Sequence, residues 1–326
     1  ETKLEQELEE LKRTVADRSA KTTAMSEKAT FDCFENSPCK AVFDDTPYPT
    51  YDHEVSTAVQ AFLEKGLPQI AEAGVSSEDC QKFFASLNRE CKMRYVHELR
   101  KWKDQKNPLE ALDPETHAEV LWTSAKTLKA FGGKREFCWL VNWCIRSGYS
   151  RLLELLMTYV KGLNRYIAKP RIERLQPREE PPWEMLFEWK LFRGGGFKMA
   201  LKDFFVVDLV IRIPGFWATT PTLSVTDYFL QRATNPAEGI EPIRWTILIH
   251  SGQKCHHVNF IKRSLIHDPD GKPSEDEFLF TQFSAFTVKS VEWKVNATAD
   301  DPHEITLSAF PDNRLAPKNA KLAPWS

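Results

Sequence analysis

The 326 residues suffice for one large domain or two ordinary ones, and 42% apolar with 28% charged residues, among them 10 Trp and 21 Phe, describes a folded chain with an aromatic core. A formal net charge of −2 offers no concentrated basic face, which argues against nucleic acid and anionic membrane as partners. The longest mainly apolar runs, such as 204–211, are strand-sized and fall far short of the roughly 18 residues that span a bilayer, so no membrane span is expected.

The chain opens on Glu1 with no charged-then-apolar leader, which reads as a processed or trimmed piece. Seven thinly spread cysteines do not look like a disulfide framework and favour a reducing, intracellular compartment. Two features point the other way: Cys33 and Cys39 are spaced to close a short loop, and Asn296-Ala297-Thr298 is a glycosylation acceptor pattern.

Leu4, Leu8, Leu11 and Val15 alternate spacings of four and three among charged residues, predicting a short helix or coiled-coil seam, and 20–50 read as a linker. From Val55 to Ile167 apolar residues recur at three and four, as in Leu152, Leu155, Leu156, Tyr159 and Leu163, which predicts a helical layer. Ser76-Ser77-Glu78-Asp79 and Asp113-Pro114-Glu115 open helices, while Gly132-Gly133 and Gly148 end them. Four prolines in 170–182 mark a connector. After Trp183 short β-branched and aromatic runs bounded by Gly, Pro and Asp predict strands at 187–192, 206–213, 245–249, 277–280, 286–294 and 305–310. Helices first and strands later predict an α+β fold with an antiparallel or mixed sheet. The expected divisions are 1–50, a helical 51–110, and 111–326, the last made of helices 111–170, a connector 171–183 and a β core 184–315.

Three segments carry candidate chemistry. Phe187 to Gly196 is an apolar strand ending in Arg193 and three glycines. A guanidinium there can grip a pyrophosphate bidentately, and glycines such as Gly194 let a nucleotide backbone approach. Pro214 to Pro221 carries Thr219 and Thr220, whose hydroxyls both donate and accept and suit a ribose or a carboxylate. Phe216 and Trp217 can pack beside them. Ser274 to Phe280 delivers acids into an apolar strand, and period two would turn Glu275 and Glu277 to one face. Paired carboxylates raise one another's pKa, and one beside a ribose can stabilise positive charge growing at C1′.

In this order and spacing the three segments resemble the mono-ADP-ribosyltransferase family of the Arg/Ser-Thr-Ser/Glu-x-Glu class. The matching text is Phe192-Arg193-Gly194, then Phe216-Trp217-Ala218-Thr219-Thr220, then Glu275-Asp276-Glu277-Phe278-Leu279-Phe280. The resemblance covers about 184–295 directly and the helices from about Glu115 to Ile167 less closely, and leaves 1–110 outside. It implies two packed sheets around an NAD cleft, with NAD as co-substrate and a protein, through arginine, as acceptor. Arg193, Gly194 and Phe216 would then bind NAD, Thr219 and Thr220 would shape the nicotinamide pocket, Glu277 would be the catalytic glutamate, and Glu275 would select and position the acceptor. The loop 267–274 falls where the family keeps its acceptor-recognition loop. One position departs from the pattern: Ala218 stands where the family's first serine hydrogen-bonds the catalytic glutamate, a tether worth about 1–3 kcal/mol. A silent binding module of the same fold, or an NAD glycohydrolase with water as acceptor, are the alternatives.

No metal is expected. Cys255-His256-His257, with His250 and His267, lacks a second ligand pair at metal spacing, and adjacent strand histidines point apart. Asp268-Pro269-Asp270-Gly271 lacks the ligand series of a calcium loop and reads as a turn.

Overall fold

The structure, a computed structural model, describes residues 38–102, 114–168, 189–232, 235–250, 255–261 and 276–324. The expected seam at Leu4 to Val15, the connector at 170–182 and the loop 267–274 lie outside these residues.

The linker expected to reach residue 50 contains a helix, α1 (Pro38–Asp45). Its apolar residues explain it: Cys39 and Phe43 are four apart and buried, and Val42 packs beside them. The Lys161 ammonium sits 4.2 Å over the Phe43 ring and 4.4 Å over that of Tyr48, which fastens the segment to the helical layer.

Helix α2 (Asp52–Ala61) runs on through a π-type turn at Phe62–Gly66, and α3 spans Ser77–Trp102. The expected cap is present at α3, where the Asp79 N–H donates to Ser76 Oγ at 3.1 Å. Helix α4 (Pro114–Trp122) begins on its proline, which lacks a donor that the first turn would leave unused. Helices α5 (Phe137–Ser147) and α6 (Ser150–Ala168) follow, and Gly148 ends α5 in the left-handed region at φ 66°.

One expected helix end is instead a hairpin. Strands β1 (Thr127–Ala130) and β2 (Gly133–Glu136) pair antiparallel through a loop of Phe131 and Gly132, both at positive φ (53° and 73°). Two positive φ values give the turn a twist that matches the strands it joins. The pair Gly132-Gly133 signals a turn as well as a helix stop, and β1 alternates exposed and buried over too few residues to declare itself.

The β half begins with β3 (Trp189–Lys198), which does not stop at Arg193 as expected but continues through the glycines. Its full length pairs antiparallel with β6 (Ile240–Ile249), and this ladder outweighs the weak strand preference of glycine. The strand expected at 206–213 shrinks to β4 (Val210–Ile213); Val206 and Val207 are exposed on a turn. Strand β5 (Trp217–Thr219), helix α7 (Leu223–Arg232), β7 (Val258–Phe260), β8 (Phe278–Phe280), β9 (Ser284–Glu292), β10 (His303–Ala309) and β11 (Lys321–Leu322) follow among the described residues.

Six strands form a mixed sheet in the order β11-β4-β9-β10-β6-β3, with β10 parallel to β6 and β11 parallel to β4. Three form a small antiparallel sheet, β5-β8-β7. Alternation explains why the small sheet is covered on both sides. Trp217, Phe278 and Phe280 pack with Leu191, Trp245 and Phe286 of the large sheet, whereas Phe216, Ala218 and Leu279 turn into the helical core of Leu121, Leu140 and Tyr159. The fold is therefore α+β, with two packed sheets and a helical layer against the smaller one.

Candidate active site

The small sheet and the edge of β3 set the site. Helix α5 grips the entry to β5: the Phe216 N–H donates to Asn142 Oδ1 at 2.8 Å, and Asn142 Nδ2 donates to the Phe216 carbonyl at 3.0 Å. The fit is close, since a Cβ on Gly215 would lie 2.9 Å from Asn142 Oδ1. Phe216 itself is buried and stands edge-on to Trp122, ring centres 5.2 Å apart.

Both predicted threonines are engaged within the protein. The Thr219 hydroxyl donates to the Phe278 carbonyl at 2.8 Å, locking β5 to β8. The Thr220 backbone exchanges hydrogen bonds of 2.7 and 2.8 Å with Phe192, joining β5 to β3, and its hydroxyl oxygen accepts from the Thr222 N–H at 3.2 Å.

That bridge brings Arg193 beside β5, whose partner strand β8 begins just after Glu277. Arg193 Nη1 donates to the Ala218 carbonyl at 2.8 Å, so the guanidinium lies across β5. Burial draws its pKa below the ordinary guanidinium value, against the opposing pull of Glu277 and then Cys138. Arg193 and Glu277, distant in the chain, thus feel one another's charge.

Glu277 precedes β8, its carbonyl accepting from the Ile261 N–H at 2.7 Å. Its carboxylate Oε1 accepts from the Trp122 indole Nε1–H at 2.9 Å. The extended alternation that was expected to pair Glu275 with Glu277 does not carry back through Asp276, whose φ is 37°. Glu275 lies outside the described residues.

The glycines of β3 divide in role. A Cβ on Gly194 would fall 2.4 Å from the Thr226 carbonyl and 3.1 Å from Leu230 Cγ, because α7 crosses the strand there. Gly194 is needed for that crossing, whereas a Cβ on Gly195 would meet no atom of the described residues within 4 Å.

The sequence matches no protein-family profile and no curated protein. Among solved structures the chain is similar to the ADP-ribosyltransferase HopU1 of Pseudomonas syringae pv. tomato, with a TM-score of 0.45 and 15% identity over 81% of this chain and 100% of that one. It is also similar to Plx2a, an ADP-ribosyltransferase toxin from Paenibacillus larvae, with a TM-score of 0.37 and 11% identity over 68% and 96%. The Vis toxin of Vibrio splendidus, an ADP-ribosyltransferase, gives 0.32 and 13% over 82% and 88%.

Several residues of the site carried no signal in the sequence. Arg146, one helical turn beyond Asn142 on α5, is half-buried; burial and then the nearby Arg193 draw its pKa down to about 10, and it still carries its charge at neutral pH. It makes no hydrogen bond or ion pair among the described residues. Tyr159 of α6 is fully buried, burial and then Cys138, Cys91 and Glu277 raising its pKa, and its hydroxyl has no hydrogen-bond partner among the described residues. Asn142 and Arg146 at a spacing of four share one face of α5, a pattern that only the position of β5 makes meaningful. Trp122 could have been found only by knowing that α4 ends against β8.

His257, from the rejected metal cluster, is a core residue: Nδ1 is 2.8 Å from Ser284 Oγ, and Nε2 faces the Phe310 carbonyl. Burial, first among several causes, lowers its pKa to about 4, so it is neutral at ordinary pH.

Proposed function

We infer that this chain splits NAD between nicotinamide and ribose and transfers the ADP-ribosyl group to a protein side chain, with arginine the acceptor and Glu277 the catalytic residue. The observation that supports the reading is that Arg193 of the large sheet donates to the Ala218 carbonyl of β5, while Glu277 leads into β8, the strand paired with β5, so that a guanidinium and a carboxylate distant in the chain approach the same pair of strands.

The residues present fit NAD by the chemistry of their donors. Arg146 and Arg193 are two half-buried cations whose proximity costs free energy, and Arg146 has no counter-ion among the described residues. A pyrophosphate carries the charge and the acceptor oxygens that would relieve both. When bound, NAD supplies an ADP-ribosyl group on a pyridinium leaving group. Glu277 would accept a hydrogen bond from the nicotinamide ribose and set a negative charge where positive charge grows as the leaving group departs. Phe216 and the threonine-pinned β5 would keep that carboxylate in place, and water out of its helical side. Glu275 would orient the acceptor guanidinium, which needs a neighbouring anion because its own pKa is so high.

The test is incubation with NAD labelled in its adenylate half and a mixed protein extract. Label should enter protein with wild type and not with Glu277→Gln, and Glu275→Gln should lose labelling while retaining nicotinamide release. Release with no labelled protein would assign water as the acceptor. NAD binding by calorimetry without any release would make the chain a binding module and refute the transferase reading.

A further inference from the structure

We propose that Trp122 is the positioning residue for Glu277, its indole N–H taking over the tether that a hydroxyl at position 218 would provide. The proposal rests on the reading of Glu277 as the catalytic carboxylate.

Strands β5 and β8 pair Ala218 with Leu279 and Thr219 with Phe278. Ala218 and Leu279 both pack against the helical core, so a side chain at 218 lies on the face towards α4, diagonal to the residue that precedes Phe278. A methyl group there gives Glu277 no donor. From the opposite wall α4 brings its last residue, Trp122, and the Nε1–H donates to Glu277 Oε1 at 2.9 Å. The indole is well suited to hold an anion still. It is only a donor, so it cannot act as a competing base, and its hydrogen bond to an ionised acceptor is of the strong kind. Its ring is 4% exposed and braced edge-on by Phe216, which Asn142 clamps in turn. The donor is therefore preorganised by packing and does not depend on a rotatable hydroxyl.

The experiment compares nicotinamide release by wild type, Trp122→Phe, Ala218→Ser, the double variant Trp122→Phe/Ala218→Ser, and Glu277→Gln. Trp122→Phe keeps the aromatic contact and removes the N–H. We expect kcat to fall about ten- to hundredfold with KM for NAD within about twofold, as for an interaction with one catalytic group. A donor to the ionised form lowers a carboxyl pKa, so the acid limb of the kcat profile should move to higher pH in Trp122→Phe. The serine in the double variant should bring back at least half of the lost log kcat and return the limb. Packing damage alone would not be repaired by a hydroxyl across the sheet. Wild-type kcat and an unmoved acid limb in Trp122→Phe overturn the proposal, as does a loss that Ala218→Ser leaves untouched.

Should Trp122→Phe not fold, the intact protein answers by indole ¹H–¹⁵N spectroscopy on its ten tryptophans. One indole signal should titrate with the acid limb and shift in Glu277→Gln, and the absence of any responding signal refutes the contact. If Glu277→Gln retains full activity, the catalytic reading fails first; if it is inactive while Trp122→Phe is normal, only the tether is lost.

Discussion

Gly194→Ala separates two uses of the glycine beside Arg193. The added Cβ would stand 2.4 Å from the Thr226 carbonyl oxygen and 3.1 Å from Leu230 Cγ, a clash with helix backbone that no rotamer change relieves. Either α7 must lift from β3 or the ten-residue ladder to β6 must bow. Forcing a methyl group into packed structure costs about 2–3 kcal/mol, which for a chain of this length lowers the melting temperature by roughly 3–4 °C. Gly195→Ala is the control, because its Cβ would meet nothing within 4 Å among the described residues. Calorimetric melting of both variants, with NAD titrated into each, gives the answer. A Gly194→Ala variant that melts with wild type but has lost NAD affinity would refute the packing argument and make this glycine a point of ligand approach.

Two further outcomes are expected. Burial lowers the pKa of both His117 and His257 to about 4, from an ordinary value near 6.5. Between those values the unfolded chain takes up protons that the fold refuses, so the stabilisation from neutral burial is full above pH 6.5 and lost as pH falls towards 4, at about 3 kcal/mol for each histidine. Urea unfolding across that range should show the loss, and His257→Gln should remove roughly half of it; an unchanged slope would count against the burial argument. Arg146→Gln should weaken NAD binding about tenfold without lowering the melting temperature, because it relieves the repulsion with Arg193; unchanged affinity would remove Arg146 from the phosphate site.

The α+β division was legible because its signals are local. Period-four apolar spacing in α6 and alternating aromatic runs around Trp217 and Phe278 each report the face that packing uses. Arg193 and Glu277 stood out as candidates for the same reason, each adjoining an apolar strand near turn residues. What local pattern could not give was pairing. Strand β3 runs past Arg193 only because β6 offers ten partners, and Gly194 belongs to a helix crossing that no neighbouring residue announces. Asp276 reads as one more strand residue until its φ of 37° interrupts the alternation. The alanine at 218 was readable in the sequence; the hydrogen bond to Glu277 from a tryptophan 155 residues away required the fold.

The most direct test is the rate of nicotinamide release by Glu277→Gln, read beside its affinity for NAD. A carboxylate that works only as the bond breaks should leave affinity within a few-fold of wild type and cut the rate by at least about a hundredfold. A variant that releases nicotinamide at the wild-type rate would show that Glu277 and Arg193, though neighbours, do not form the site of an NAD-cleaving enzyme.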